Sequence, residues 1–184
     1  FDEGQLKKAE LWMTYVLNNF LDSKENFFHF SSQSAEQLIA KKKEVFDNVI
    51  PSSNSVMARN LFRLGTLLDK NEWKQMSVKM VLKLSAIIVQ EPVYMSNWGI
   101  LFSEITEGMN EVVIVGEKIG EMRKEIQSNY FPFALFLGTK FKSNLPLFEG
   151  REVKEKTMIY VCKNKVCQFP VENIQDAINQ MISA

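Results

Sequence analysis

The segment 110–137, NEVVIVGEKIGEMRKEIQSNYFPFALFL, decides the fold class. Val112 to Val115 are an unbroken aliphatic run of strand length closed by Gly116, the pattern of a strand covered on both faces. Lys118 to Tyr130 follows with helical character, and Phe133 to Leu137 is a second apolar run. Strand, helix and strand in that succession predict a βαβ unit with parallel strands. Gly116 and Gly120 invite a phosphate-binding reading, but the G-x-G-x-x-G spacing is missing, so they read as a strand-to-helix turn.

Downstream, MIYVCKNKVCQFPV (158–171) holds both cysteines of the chain. If Asn164-Lys165 forms a two-residue turn, Lys163 and Val166 pair beside it and Cys162 faces Cys167 in the next pair, close enough for a disulfide. The alternative is a pair of reduced thiols packed as small hydrophobes, which a reducing compartment favours. A thioredoxin-type redox centre uses Cys-x-x-Cys at a helix N-terminus, where the dipole lowers a thiol pKa; Cys-x4-Cys on strands does not supply that. With His29 the one histidine, the two cysteines cannot complete the usual Cys/His zinc site, so neither metal nor cofactor is expected. A last helix is predicted from about Glu172 to Ile182.

Upstream of 110 the spacing is helical. Leu6, Ala9, Met13, Val16, Leu17, Phe20 and Leu21 share one face of a first helix. A long irregular stretch follows, with a short hairpin expected between Phe27 and Ile39. Pro51-Ser52-Ser53-Asn54-Ser55 then offers capping oxygens to the free amides of a helix start. Met57, Leu61, Leu64 and Leu68 stripe that helix; after Asp69-Lys70-Asn71, a second carries Trp73, Met76, Met80, Leu84, Ile87 and Ile88. The short break predicts a helical hairpin. Glu91-Pro92 ends it and starts a third helix expected to bury Trp98, Leu101, Phe102 and Ile105. The fold class is therefore mixed α and β, mainly helical: a helical lobe over 1–109, then a small α/β lobe over 110–184 with a βαβ unit and a C-terminal hairpin.

With 184 residues, 46% hydrophobic and 24% charged, the chain is long enough for a full core. Its 22 basic residues balance 22 acidic ones, which argues against nucleic acid or an anionic membrane surface as partner. The apolar runs are too short to span a bilayer, and with few cysteines a cytoplasmic location is expected. The chain opens on Phe1 and enters an amphipathic pattern at once, as a piece of a longer protein would.

The long excursion gathers the polar candidates. Glu44 and Asp47, with His29 upstream, are the catalytic candidates, since two carboxylates whose environments differ could share acid and base work on a sugar. Asp47, Ser52, Asn54 and Ser55 are the ligand-pocket candidates. The competing reading is that Asp47 and Asn54 simply cap and tie down the loop.

Four stretches carry a resemblance: LIAKKKEVFDNVIPSSNSVMARNLFRL (38–64), EVVIVGE (111–117), LPLFEG (145–150) and YVCKNKVCQFPV (160–171). In order and spacing they resemble the C-terminal end of the spermatogenesis-associated, thioredoxin-domain-containing proteins and their bacterial YyaL-like relatives. The resemblance implies a thioredoxin-like domain and an α/α toroid, similar to those of sugar epimerases and six-hairpin glycosidases, of which this chain would hold the last hairpins. The partners it implies are those missing parts of the same chain and a sugar-like small molecule. It also puts Asp47, Pro51, Ser52, Asn54 and Ser55 on the family's Asp and Pro-Ser-Gly-Asn-Ser loop, and Cys162 and Cys167 on its paired cysteines. Ser53 stands where that loop usually has Gly, and Glu25-Asn26 where a Gly-Gly pair is common. Independent catalysis is not expected of such a piece; part of an epimerase-like or glycosidase-like site is the alternative.

Overall fold

The computed structural model describes residues 1–35, 41–151 and 155–183. Among them the chain is mixed α and β, with six α-helices and two small sheets, and it divides into two compact units, Asp2–Ser103 and Glu104–Ala184 with Phe1.

In the first unit, α1 spans Glu3–Phe20 and is capped by Asp2, whose carboxylate accepts from the Gly4 amide at 2.8 Å. Of its apolar residues only Met13 is buried; Leu11, Trp12 and Tyr15 stay 60 to 69% exposed. Strands β1 (Leu21–Asp22) and β2 (Phe27–Phe28) pair antiparallel around a turn that holds Asn26 at φ 58°. A hairpin therefore exists, but it begins six residues before the expected Phe27 start, because the residues directly after α1 supply the first strand. The part of the expected hairpin at 36–40 lies outside the described residues.

Helices α2 (Ser53–Leu67) and α3 (Asn71–Gln90) form the helical hairpin, with Asp69 at φ 57° in the connection. Their close approach depends on Gly65: a Cβ there would lie 2.8 Å from Lys74 Cγ and 2.9 Å from the Lys70 carbonyl. Trp73, Met80, Leu84 and Ile88 are buried along α3, with Ser77 and Val81 completing the stripe, and Ser77 Oγ donates to the Ala58 carbonyl at 2.7 Å. Pro92 does not open the next helix directly. It starts a 3-10 turn, Pro92–Tyr94, and α4 (Ser96–Glu107) begins after Met95, whose φ of −131° interrupts the helical path. The face of α4 also differs from expectation: Trp98 and Leu101 are buried, as are Met95 before the helix and Glu104, while Phe102 is exposed and Ile105 half-buried. The buried line follows a spacing of three from Met95, which carries Phe102 to the flank.

In the second unit, β3 (Asn110–Val115), α5 (Ile119–Ile126) and β4 (Ala134–Thr139) form the βαβ unit, with β3 and β4 parallel. Strands β5 (Met158–Lys163) and β6 (Val166–Cys167) add antiparallel on the other side of β3, giving the order β4-β3-β5-β6. The central strand is buried at every residue from Glu111 to Val115, which explains its unbroken apolar run. One sheet face, Val112, Ile114, Ile159 and Val161, packs with Ile126 of α5 and with Ala177 and Met181 of α6 (Ile174–Ser183). Gly116 ends β3 at φ 132°, and a Cβ there would sit 2.6 Å from Thr157 Cα, so the strand exit admits only glycine. No helix among the described residues is long and apolar enough to cross a membrane.

Candidate functional site

The loop that enters α2 is fastened by its own polar side chains. Ser52 is the N-cap, its Oγ accepting from the Ser55 amide at 3.1 Å and donating to the Val45 carbonyl at 3.1 Å. Asp47 is buried, and both its oxygens are used: Oδ1 accepts from the Ser52 amide and the Ser55 hydroxyl, each at 2.8 Å, and Oδ2 accepts from the Asn97 amide at 2.8 Å. Through that last bond Asp47 serves the first turn of α4 from a distance of 50 residues, where free amides and the helix dipole favour an anion. Asn97 Nδ2 closes the ring by donating to Ser55 Oγ at 2.9 Å.

Asn54 extends the clamp to β2. It is fully buried, its Oδ1 accepts from the Phe28 amide at 2.6 Å, and its Nδ2 donates to the carbonyls of Phe28 at 3.0 Å and Glu44 at 2.9 Å. A side-chain amide with that pattern behaves as an added strand partner for β2. Trp98 Nε1 donates to the Val45 carbonyl at 2.7 Å and its ring meets Phe27 edge to face, 6.3 Å between centroids.

The structure thus brings Asp47, Ser52, Asn54 and Ser55 together and leaves the other two candidates elsewhere. The Glu44 carboxylate faces Lys42 at 3.7 Å and is exposed, with only its backbone carbonyl in the clamp. His29 Nε2 lies 3.7 Å from Asp22 Oδ2, in a cluster where Lys43 also bridges Asp22 and Glu25. The Asp22 carboxyl is held down at about 2, chiefly by its hydrogen bond from Lys43. Sequence reasoning passed over Asn97, Trp98 Nε1 and the Asp22–Lys43 pair, whose partners sit 21 to 53 residues away and leave no local pattern.

The cysteines form the second polar constellation. Asn164 and Lys165 occupy a two-residue turn at φ 50° and 67°, Lys163 pairs with Val166, and Cys162 with Cys167, as the spacing predicts. Their sulfurs are joined as a disulfide rather than packed as the reduced pair that a reducing compartment favours, because the register sets them directly opposite. Arg151 was not foreseen. It lies 16 residues from Cys167, its Nη2 is 2.9 Å from Cys162 Sγ and 3.0 Å from Cys167 Sγ, its Nη1 donates to the Leu147 carbonyl, and its guanidinium stacks 5.1 Å from the Tyr160 ring centre. Burial lowers the Arg151 pKa from its ordinary value, while Tyr160 and the buried Glu111 act to raise it. Among the described residues no three His, Cys, Asp or Glu side chains gather as a metal site.

A helical hairpin unit with a buried Asp/Ser/Asn clamp, and an α/β unit with a stapled hairpin, define a mixed α/β protein. No family model matches it. The chain is similar to Spermatogenesis-associated protein 20 of Homo sapiens, 24% identical over 190 residues that cover 92% of this chain and 24% of that protein. The protein of the same name from Rattus norvegicus is 23% identical over 156 residues, 79% of this chain and 20% of that one. An uncharacterised protein of Caenorhabditis elegans is 24% identical over 166 residues, 82% of this chain and 22% of its own length. The chain thus spans a fifth to a quarter of the length of these relatives. Weak but extended along most of the chain, the likenesses support a relation to the spermatogenesis-associated proteins.

Proposed function

We propose that this chain works as a structural segment of a longer protein of the spermatogenesis-associated, thioredoxin-domain-containing kind. Its helices would complete an α/α toroid, and the loop from Asp47 to Ser55 would form part of a ligand-pocket wall. The observation that carries this reading is the clamp: both Asp47 oxygens, the Ser52 and Ser55 hydroxyls and both ends of the Asn54 amide are engaged by protein partners. Side chains so occupied hold a loop in place and leave nothing for proton transfer to a substrate. The exposed Leu11, Trp12 and Tyr15 of α1 add support, because an apolar helix face of this kind is what a neighbouring hairpin would cover.

Two measurements test the reading. Translating the gene upstream of Phe1 is expected to give an open frame encoding further amphipathic hairpins; an in-frame stop directly before Phe1 would sink it. Against a sugar library, the longer protein is expected to keep any turnover it has when Glu44→Gln and His29→Ala are introduced. A drop of about a hundredfold or more, the scale of a lost acid or base, would instead establish a carbohydrate-active site.

A further inference from the structure

The Cys162–Cys167 disulfide has a feature that a purely structural staple does not require, namely a partly buried cation aimed at both sulfurs. Disulfide sulfurs are weak acceptors, so a desolvated guanidinium spends two of its N–H directions on poor partners in the oxidised state. The match improves sharply once a sulfur carries negative charge, since charge-assisted hydrogen bonds are about twice as strong as neutral ones. Exposure adds a direction: Cys162 is 1% exposed, whereas Cys167 lies open at the surface.

We propose that Cys162–Cys167 is an exchange-active disulfide that accepts two electrons from a dithiol, with Arg151 holding the thiolate that reduction releases. A thiolate of the incoming dithiol attacks the exposed Cys167 Sγ. A new S–S bond forms to the dithiol as the Cys162–Cys167 bond breaks, and the electron pair of that bond stays on Cys162 Sγ beside Arg151 Nη2. The second thiol of the dithiol loses its proton to solvent and attacks its own sulfur in the mixed disulfide, expelling Cys167 as a thiolate, which Arg151 also faces. The dithiol leaves as a cyclic disulfide and the chain as a dithiol; solvent supplies any protons the two thiolates take up. Arg151 acts here by position, and other charged and titratable groups bear on the same sulfurs. Glu111 pairs with Cys162 in the sheet register and opposes a thiolate, Tyr160 stacks on Arg151, Lys163 precedes the turn and Lys165 sits in it.

The two charges make opposite predictions. The oxidised chain is equilibrated with graded dithiothreitol, quenched with a maleimide and weighed by mass spectrometry. Relative to wild type, Arg151→Met should lower the exchange equilibrium constant about tenfold, the order of one charge-assisted hydrogen bond. Glu111→Gln should raise it. Unchanged constants, or shifts of the same sign in both variants, overturn the proposal. Should either substitution unfold the chain by circular dichroism, Cys162→Ser keeps the question open to measurement. The ultraviolet absorbance of the Cys167 thiolate should then half-titrate well below the ordinary cysteine value of about 8.5. A midpoint at or above that value overturns the assignment.

Discussion

The clamp around Asp47 and the patch around Arg151 each place one charge, fully buried in the first and half-buried in the second, among hydrogen-bonding partners, yet they are built oppositely. Asp47 is an anion met only by donors: two backbone amides and a hydroxyl, each at 2.8 Å. Arg151 is a cation met by one carbonyl, an aromatic face and two sulfurs that accept weakly. Complementarity in the resting state marks a site whose task is finished once the chain has folded. A mismatch that a change of oxidation state would relieve marks a site with a second state to reach.

The strongest way to break this contrast is to remove the clamp's centre. Asp47→Ala strips the Ser52 and Asn97 amides of their acceptor at once and leaves the Ser55 hydroxyl only the Ser52 carbonyl. With buried donors left unmet, a loss of about 3 kcal/mol or more in unfolding free energy is expected from urea titration. A loss below about 1 kcal/mol would mean that the network is replaceable and that Asp47 is kept for another purpose.

Much of this architecture was legible beforehand. The Val112–Val115 run announces a strand buried on both faces, and the two-residue turn places Cys162 opposite Cys167; both follow from periods of the chain itself. The Pro51-Ser-Ser-Asn-Ser run announces a helix start, and Ser52 is the cap. What the sequence could not display are partners joined only by folding. Asn97 reaches Asp47 across 50 residues, Asn54 reaches Phe28 across 26, and Arg151 reaches Cys162 across 11 from an irregular segment. Helix phase was the other weak point: Phe102 has the spacing of a buried residue yet lies on the flank, because Met95, just before α4, sets the buried line.

A smaller effect sharpens the other side of the comparison. Lys165 sits at φ 67° in the hairpin turn, a conformation that costs an L side chain free energy and costs glycine little. Lys165→Gly keeps the amide that faces Glu111 Oε2 at 3.3 Å, so it removes strain without removing that contact. A gain of about 0.5 kcal/mol in thermal or urea unfolding is expected, part of the strain relief being offset by the entropy of the unfolded glycine. A loss would show that the Lys165 side chain, not its backbone, holds the turn.

The smallest effect concerns the rim of the clamp unit, where Lys43 bridges Asp22 and Glu25. The Asp22 carboxyl is held at about 2 against an ordinary value of 3.8, first by the Lys43 hydrogen bond and then by the Lys24 amide. A carboxyl whose folded value is depressed contributes its stability above the unfolded value and loses it as pH falls toward the folded one. The stability difference between wild type and Asp22→Asn should therefore be flat above about pH 4 and shrink steadily between there and pH 2. Because the pair lies near the surface, the difference should also fall as salt is raised from low to physiological strength. Urea midpoints of the two proteins across that pH range decide the matter. Parallel curves would mean that Asp22 meets Lys43 equally well in the unfolded chain, and that the rim adds no charge-dependent tie to the hydrogen bonds around Asp47.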